Sequence, residues 1–173
     1  MTQQQTLYKL MVLYMLKQID FSMTLSQISD FIIGREYTDA FTLQSTISSL
    51  TEGNMVNAQT LGSITYYAIT EEGEQTVDLL EDRLAPGIRK DIVDFLKQNR
   101  HRMRNEVSVL SDYTRKAGGE YEVQCLIREK DDVLLDLRIP VTDEETAKAV
   151  SMNWTDISQE VYAYLIGKLL QKK

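Results

Sequence analysis

The side chains able to do acid–base, nucleophilic or metal chemistry are few: His101, Cys125, and the acidic clusters Asp131-Asp132 and Asp143-Glu144-Glu145. Catalysis needs a base beside a nucleophile, a bound metal or a phosphate-cradling Gly-rich loop. A single histidine among arginines and a single cysteine on an apolar strand face supply none of these. Cys125 falls on the strand face shared with Tyr121, Val123 and Ile127, which predicts a small buried residue, not an activated thiolate. One Cys and one His are too few for a structural zinc site. The acidic clusters are expected at a turn and at a helix N-terminus, where neither needs a metal. The expectation is therefore a non-enzyme without metal or cofactor.

Binding chemistry has a clearer candidate. From about Thr38 to Glu52, Leu43, Ile47 and Leu50 recur at i, i+4 and i+7, the buried stripe of a helix. At about 100° per residue, Phe41, Thr42, Gln44, Ser45, Ser48, Ser49 and Glu52 then share the opposite face. Gln44 has the amide geometry that pairs with adenine, and the serines can reach phosphates. Lys and Arg, the usual phosphate anchors and guanine readers, are missing from this face. Phe41 is either an apolar contact for a protein partner or a ring folded back onto the preceding helix.

The charge distribution sharpens that contrast. The net charge is −7. Residues 1–85 hold four basic side chains (Lys9, Lys17, Arg35, Arg83) against eleven acidic ones, whereas residues 86–173 hold fifteen of each sign. Within the neutral half, Arg89, Lys90, Lys97, Arg100, Arg102 and Arg104 crowd one stretch with only Asp91 and Asp94 among them, a local +4. This stretch contacts phosphates or an acidic partner, or it pairs with the acidic first half of the chain. The candidate phosphate contacts are accordingly Lys17, Arg35, Arg100, Arg102 and Arg104.

The elements that position these residues are legible from periodicity and caps. Leu7–Ile19 is nearly all apolar and predicts a helix buried over more than one face, with a dimer mate as the second surface. Thr24-Leu25-Ser26-Gln27 has capping-box form and opens a short second helix that stops near Gly34, a residue suited to a left-handed cap or a turn. After the third helix and Gly53, Met55–Thr60 and Ile64–Ile69 predict a hairpin across Leu61-Gly62-Ser63. Thr70 caps a fourth helix with Glu71, Glu72 and Glu74 in its first turn. Pro86-Gly87 interrupts the chain before a long helix over Ile88 to about Asn105, striped by Ile88, Ile92, Phe95 and Leu96. Strands are expected around Val107–Tyr113, at Tyr121–Arg128 with Arg128 on the exposed side, and at Val133–Ile139, the last two joined by the turn Glu129-Lys130-Asp131-Asp132. Thr142 and Thr155 would cap two closing helices, with Ala147 and Val150 inward on the first and Ile157, Val161, Leu165 and Leu169 striping the second.

The order helix, helix, helix, hairpin, helix is that of a winged helix. Two strings add to it: Leu50-Thr51-Glu52-Gly53-Asn54-Met55-Val56 and Tyr67-Ala68-Ile69-Thr70-Glu71-Glu72-Gly73. They resemble the recognition-helix exit and the wing exit of bacterial regulators of the broad MarR and PadR type. The full chain also resembles the winged-helix family called domain of unknown function 4364, found in Gram-positive bacteria. That resemblance implies fold and length and carries no activity.

The expected fold class is α+β, with a winged helix over 1–85, a basic linking helix over 86–106, and an α+β domain over 107–173 built of a three-stranded antiparallel sheet and two helices. The first functional expectation is a dimeric, regulator-like protein that touches DNA through Gln44, Ser45, Ser48 and cations supplied from elsewhere. The alternative is a winged helix turned to protein recognition through Phe41. In the C-terminal domain Tyr121 and Trp154 either line an effector site or pack in the core. The apolar run Leu10–Leu16 is shorter than the roughly 20 residues of a bilayer crossing, and the lone cysteine fits a reducing compartment, so a cytoplasmic location without membrane attachment is expected.

Overall fold

The computed structural model describes residues 3–130 and 132–171. Among them are six α-helices and two three-stranded antiparallel sheets. The chain divides into two compact units, Met1–Arg104 and Asn105–Lys173.

The first unit begins with α1 (Gln3–Lys17), whose residues Leu10 to Leu16 are all buried. The partners of this run lie in its own chain: α1 packs against α3 (Ala40–Glu52), α4 (Glu71–Leu80), strand β3 (Ile64–Ile69) and the 3-10 turn Glu81–Arg83. The run is buried over more than one face, as expected, and its own chain supplies the second surface for which a dimer mate was one candidate. The cause is that neighbours close around the helix from several sides.

α2 (Leu25–Ile32) starts at the expected capping box. The Thr24 hydroxyl accepts from the Gln27 N–H at 3.2 Å, and Gln27 Oε1 accepts from the Thr24 N–H at 3.2 Å. Gln27 is itself buried, and its amide nitrogen donates to the Met103 carbonyl at 3.1 Å. One side chain thus caps α2 and ties it to α5 (Pro86–Ser108), where Pro86 stands at the first helical position, which its missing N–H favours. Phe31 of α2 stacks obliquely on Phe95 of α5 at 5.2 Å.

Strand β2 (Val56–Leu61) forms the hairpin with β3, in the register Leu61↔Ile64, and the two-residue β1 (Met23–Thr24) adds to the other edge of β3. β1 escapes periodicity analysis because two residues show no alternation. The two sequence strings meet in space at this point. The Thr70 N–H donates to the Met55 carbonyl at 3.1 Å, and its hydroxyl donates to Asn54 O at 2.7 Å. A Cβ on Gly73 would lie 2.3 Å from Met55 O, so only glycine lets α4 approach so closely. At the end of α3 the left-handed residue is Asn54 (φ 57), while Gly53 is right-handed (φ −81). Gly34 likewise is not left-handed; a Cβ there would strike Asp30 O at 2.2 Å.

The second unit is the meander β4 (Val109–Arg115), β5 (Tyr121–Glu129) and β6 (Asp132–Val141), in that spatial order, covered by α6 (Glu144–Leu169). Asp131, of the expected acidic turn, lies outside the described residues. Where two closing helices were expected there is one of 26 residues. Nothing between Ala147 and Leu165 breaks a helix, and Ala147, Val150, Trp154, Ser158, Val161 and Leu165 hold one facing stripe at spacings of three and four. Ile157 falls off that stripe and is exposed, and Leu169, which continues it four residues after Leu165, is exposed as well. The cap is Asp143, not Thr142: its carboxylate accepts from the Thr146 N–H at 2.8 Å, while the Thr142 hydroxyl donates to it at 3.0 Å. A carboxylate is the stronger acceptor at the positive end of a helix, and that hydrogen bond holds its pKa below the ordinary range. Arg128, expected on the exposed side, is buried. No helix among the described residues is long and apolar enough to cross a membrane.

Candidate binding face on the third helix

α3 buries Leu43, Thr46, Ile47 and Leu50, and its other side carries the residues picked out by periodicity. Gln44, Ser45 and Ser48 are exposed, Thr42 and Ser49 half-buried. Phe41 stands out at 85% exposed, so its ring is not folded back onto α2. The helix begins at Asp39, whose carboxylate accepts from the Thr42 N–H at 2.8 Å and from the Thr42 hydroxyl at 3.1 Å. Thr42 is thus spent on the cap and offers little to a ligand. The Thr42 N–H holds the Asp39 pKa below the ordinary carboxylate value, so a fixed anion occupies the helix end that would otherwise attract phosphate.

A cleft of about 410 Å³ opens beside this face, lined by Phe41, Thr42, Ser45, Thr46 and Ser49 of α3 and by Gln5 and Lys9 of α1. Lys9 is the cation that shares this cleft with the α3 face, and periodicity does not select it. Its nearness depends on how α1 crosses α3, which spacing along one helix does not encode. The hairpin tip offers no charge: Gly62 turns left-handed (φ 62), and the Thr60 and Thr65 hydroxyls bond across it at 2.9 Å.

The five candidate phosphate contacts each have an anionic partner in the first unit. Lys17 is bonded to Asp78, which raises its pKa. Arg35 lies 3.5 Å from Asp91 and over the Phe31 ring. Arg100 and Arg104 converge on Asp20, at 2.7 and 2.8 Å, and Arg102 reaches Asp30 at 3.7 Å. The Arg104 hydrogen bond is the chief cause of a lowered Asp20 pKa. Arg100 and Arg104 are therefore gathered at Asp20, just beyond the C-terminal end of α1, whereas Gln5 and Lys9 of the cleft belong to its N-terminal part. Lys9 and Lys17 alone are separated by about 12 Å of helix rise. The structure brings Phe41, Thr42 and Ser45 together and leaves the candidate cations elsewhere.

The other singled-out residues have structural surroundings. Trp154 is 3% exposed, and its indole N–H donates to the Leu126 carbonyl at 3.2 Å. Tyr121 packs at the rim of the same core, its ring tilted against Tyr113 at 6.2 Å. These contacts place both aromatics in the packing between β5 and α6 in place of a ligand wall. Cys125 is fully buried, and burial pushes its thiol pKa up, away from thiolate chemistry. His101 is exposed on α5. Among the described residues no three His, Cys, Asp or Glu side chains come together as metal ligands would.

No curated protein and no solved structure matches the chain. One family, described as a domain of unknown function (DUF4364), has a model that matches residues 8–169, nearly the whole length, and the chain belongs to that family.

Proposed function

We propose that the first unit is a winged helix whose third helix docks a partner protein, in a non-catalytic cytoplasmic binding protein of regulator-like build. The observation that carries this reading is Phe41, 85% exposed at the head of an α3 face without Lys or Arg. Burying such a ring on a partner is worth about 2 kcal/mol, the scale of an interface anchor. Asp39 beside it repels phosphate and favours a cationic or N–H-bearing partner group. Duplex binding would need cations on this face, and Arg100, Arg102 and Arg104 are engaged with Asp20 and Asp30.

A photo-crosslinking phenylalanine analogue at position 41, introduced in the native host, tests the reading. The expected result is a discrete protein adduct that disappears when Ser45→Arg is added. A nuclease-sensitive adduct, or none, overturns it.

A further inference from the structure

The end of α6 is apolar except for Lys168. Its 26 residues rise about 39 Å, whereas the nine residues of β5 extend about 30 Å, so roughly the last two turns overhang the sheet. The overhang carries Tyr164 at 64% exposed, Leu169 at 77% and Leu170 at 75%. A helix end so apolar is ordinarily covered.

α6 lies mainly over β4 and β5. Its β4 flank is fixed by Ser111 Oγ donating to Ser151 O at 2.8 Å and by Tyr113 OH bonding Glu144 at 3.3 Å. The opposite flank presents Ile157, Glu160, Tyr164, Gly167 and Lys168, which recur at i, i+3, i+7, i+10 and i+11 on one continuous stripe. Ile157 on this flank is 45% exposed. β6 itself is a poor template for strand addition: Pro140 has no N–H to give, and Asp136 and Arg138 form an exposed ion pair at 3.6 Å.

We propose that this flank is a homodimer interface, in which α6 of a second copy lies antiparallel across it with the two-fold axis at Tyr164. The stripe is self-complementary in that register alone: Glu160 opposes Lys168 of the second copy and Lys168 opposes its Glu160, four residues either side of the axis. Gly167 lies on the same flank, where a Cβ would meet nothing within 4 Å in the single chain, so the two backbones can approach closely. The Lys168 ammonium already sits 5.8 Å from its own Tyr164 ring centroid, at the position from which it meets a carboxylate across the axis. The inference is independent of the α3 reading.

Sedimentation equilibrium of the full chain tests it, with circular dichroism confirming that each variant is folded. The wild type forms a dimer at about 100 µM, within the ordinary range for a modest interface. Tyr164→Glu leaves a monomer. Glu160→Lys and Lys168→Glu each put two like-charge pairs across the axis and weaken association about tenfold, and the combined swap restores it. A monomeric wild type, a dimer indifferent to Tyr164→Glu, or a swap that fails to restore association overturns the proposal.

Discussion

α1 and α6 each carry an apolar stretch with almost no polar relief, Leu10–Leu16 and Val161–Leu170, and the chain treats them oppositely. In α1 all seven residues are buried against α3, α4, β3 and the turn at Glu81. In α6 the stretch extends past the end of its sheet and keeps Tyr164, Ile166, Leu169 and Leu170 in water. An apolar run thus predicts burial without saying who supplies the cover. That depends on how many elements converge on it, and a helix longer than its sheet outruns its neighbours. Phe41 poses the same question in the first unit: an apolar side chain, well placed by its helix, with nothing of its own chain over it.

The largest effect that separates the two helices is on stability. Leu13→Ala in α1 should cost about 3 kcal/mol in urea unfolding, because it opens a cavity among packed neighbours. Leu170→Ala at the C-cap of α6 should cost less than about 0.5 kcal/mol, because its side chain is largely solvated. Equal losses would erase the contrast. Next in size is Phe41→Ala. Unfolding should be unchanged, while affinity for the partner captured at position 41 falls about 30-fold, measured by calorimetric titration. A loss of stability instead would make Phe41 a core residue.

The smallest effect concerns the anion that gathers the arginines. Asp20→Asn should lower stability by roughly 0.5–1 kcal/mol, the range of exposed ion pairs. Because the folded Asp20 pKa lies below its ordinary 3.8, the stabilisation is complete above that value and is lost as pH falls through the folded pKa. The wild-type advantage should therefore persist at pH 6 and vanish in acid, as urea midpoints at the two pH values would reveal. An advantage that survives at pH 2 would assign it to packing.

Much of this architecture was legible because its signals are local. The Thr24 capping box, the Thr70 cap, the Leu43–Ile47–Leu50 stripe and the hairpin all rest on residues within a few positions of one another. The errors share a cause as well. Thr142 and Thr155 have the right chemistry for helix starts, yet a stronger acceptor stood one residue after the first and an unbroken stripe ran through the second. Arg128 alternates like a surface residue but is buried. In the candidate site, the outward residues of α3 followed from periodicity alone. The partners of the basic residues did not: Asp20 meets Arg100 and Arg104 across 80 and 84 residues of chain, and Lys9 joins the cleft only through the crossing of α1 and α3.

The central claim is that the α3 face recognises protein without the electrostatics of a duplex reader. Fluorescence anisotropy of a labelled random duplex, titrated with the full chain at low salt, tests it most directly, since non-specific DNA affinity is greatest there. The account predicts no change in anisotropy at micromolar protein. Binding that weakens steeply with added salt, and whose salt slope flattens in Arg100→Ala/Arg102→Ala/Arg104→Ala, would contradict it.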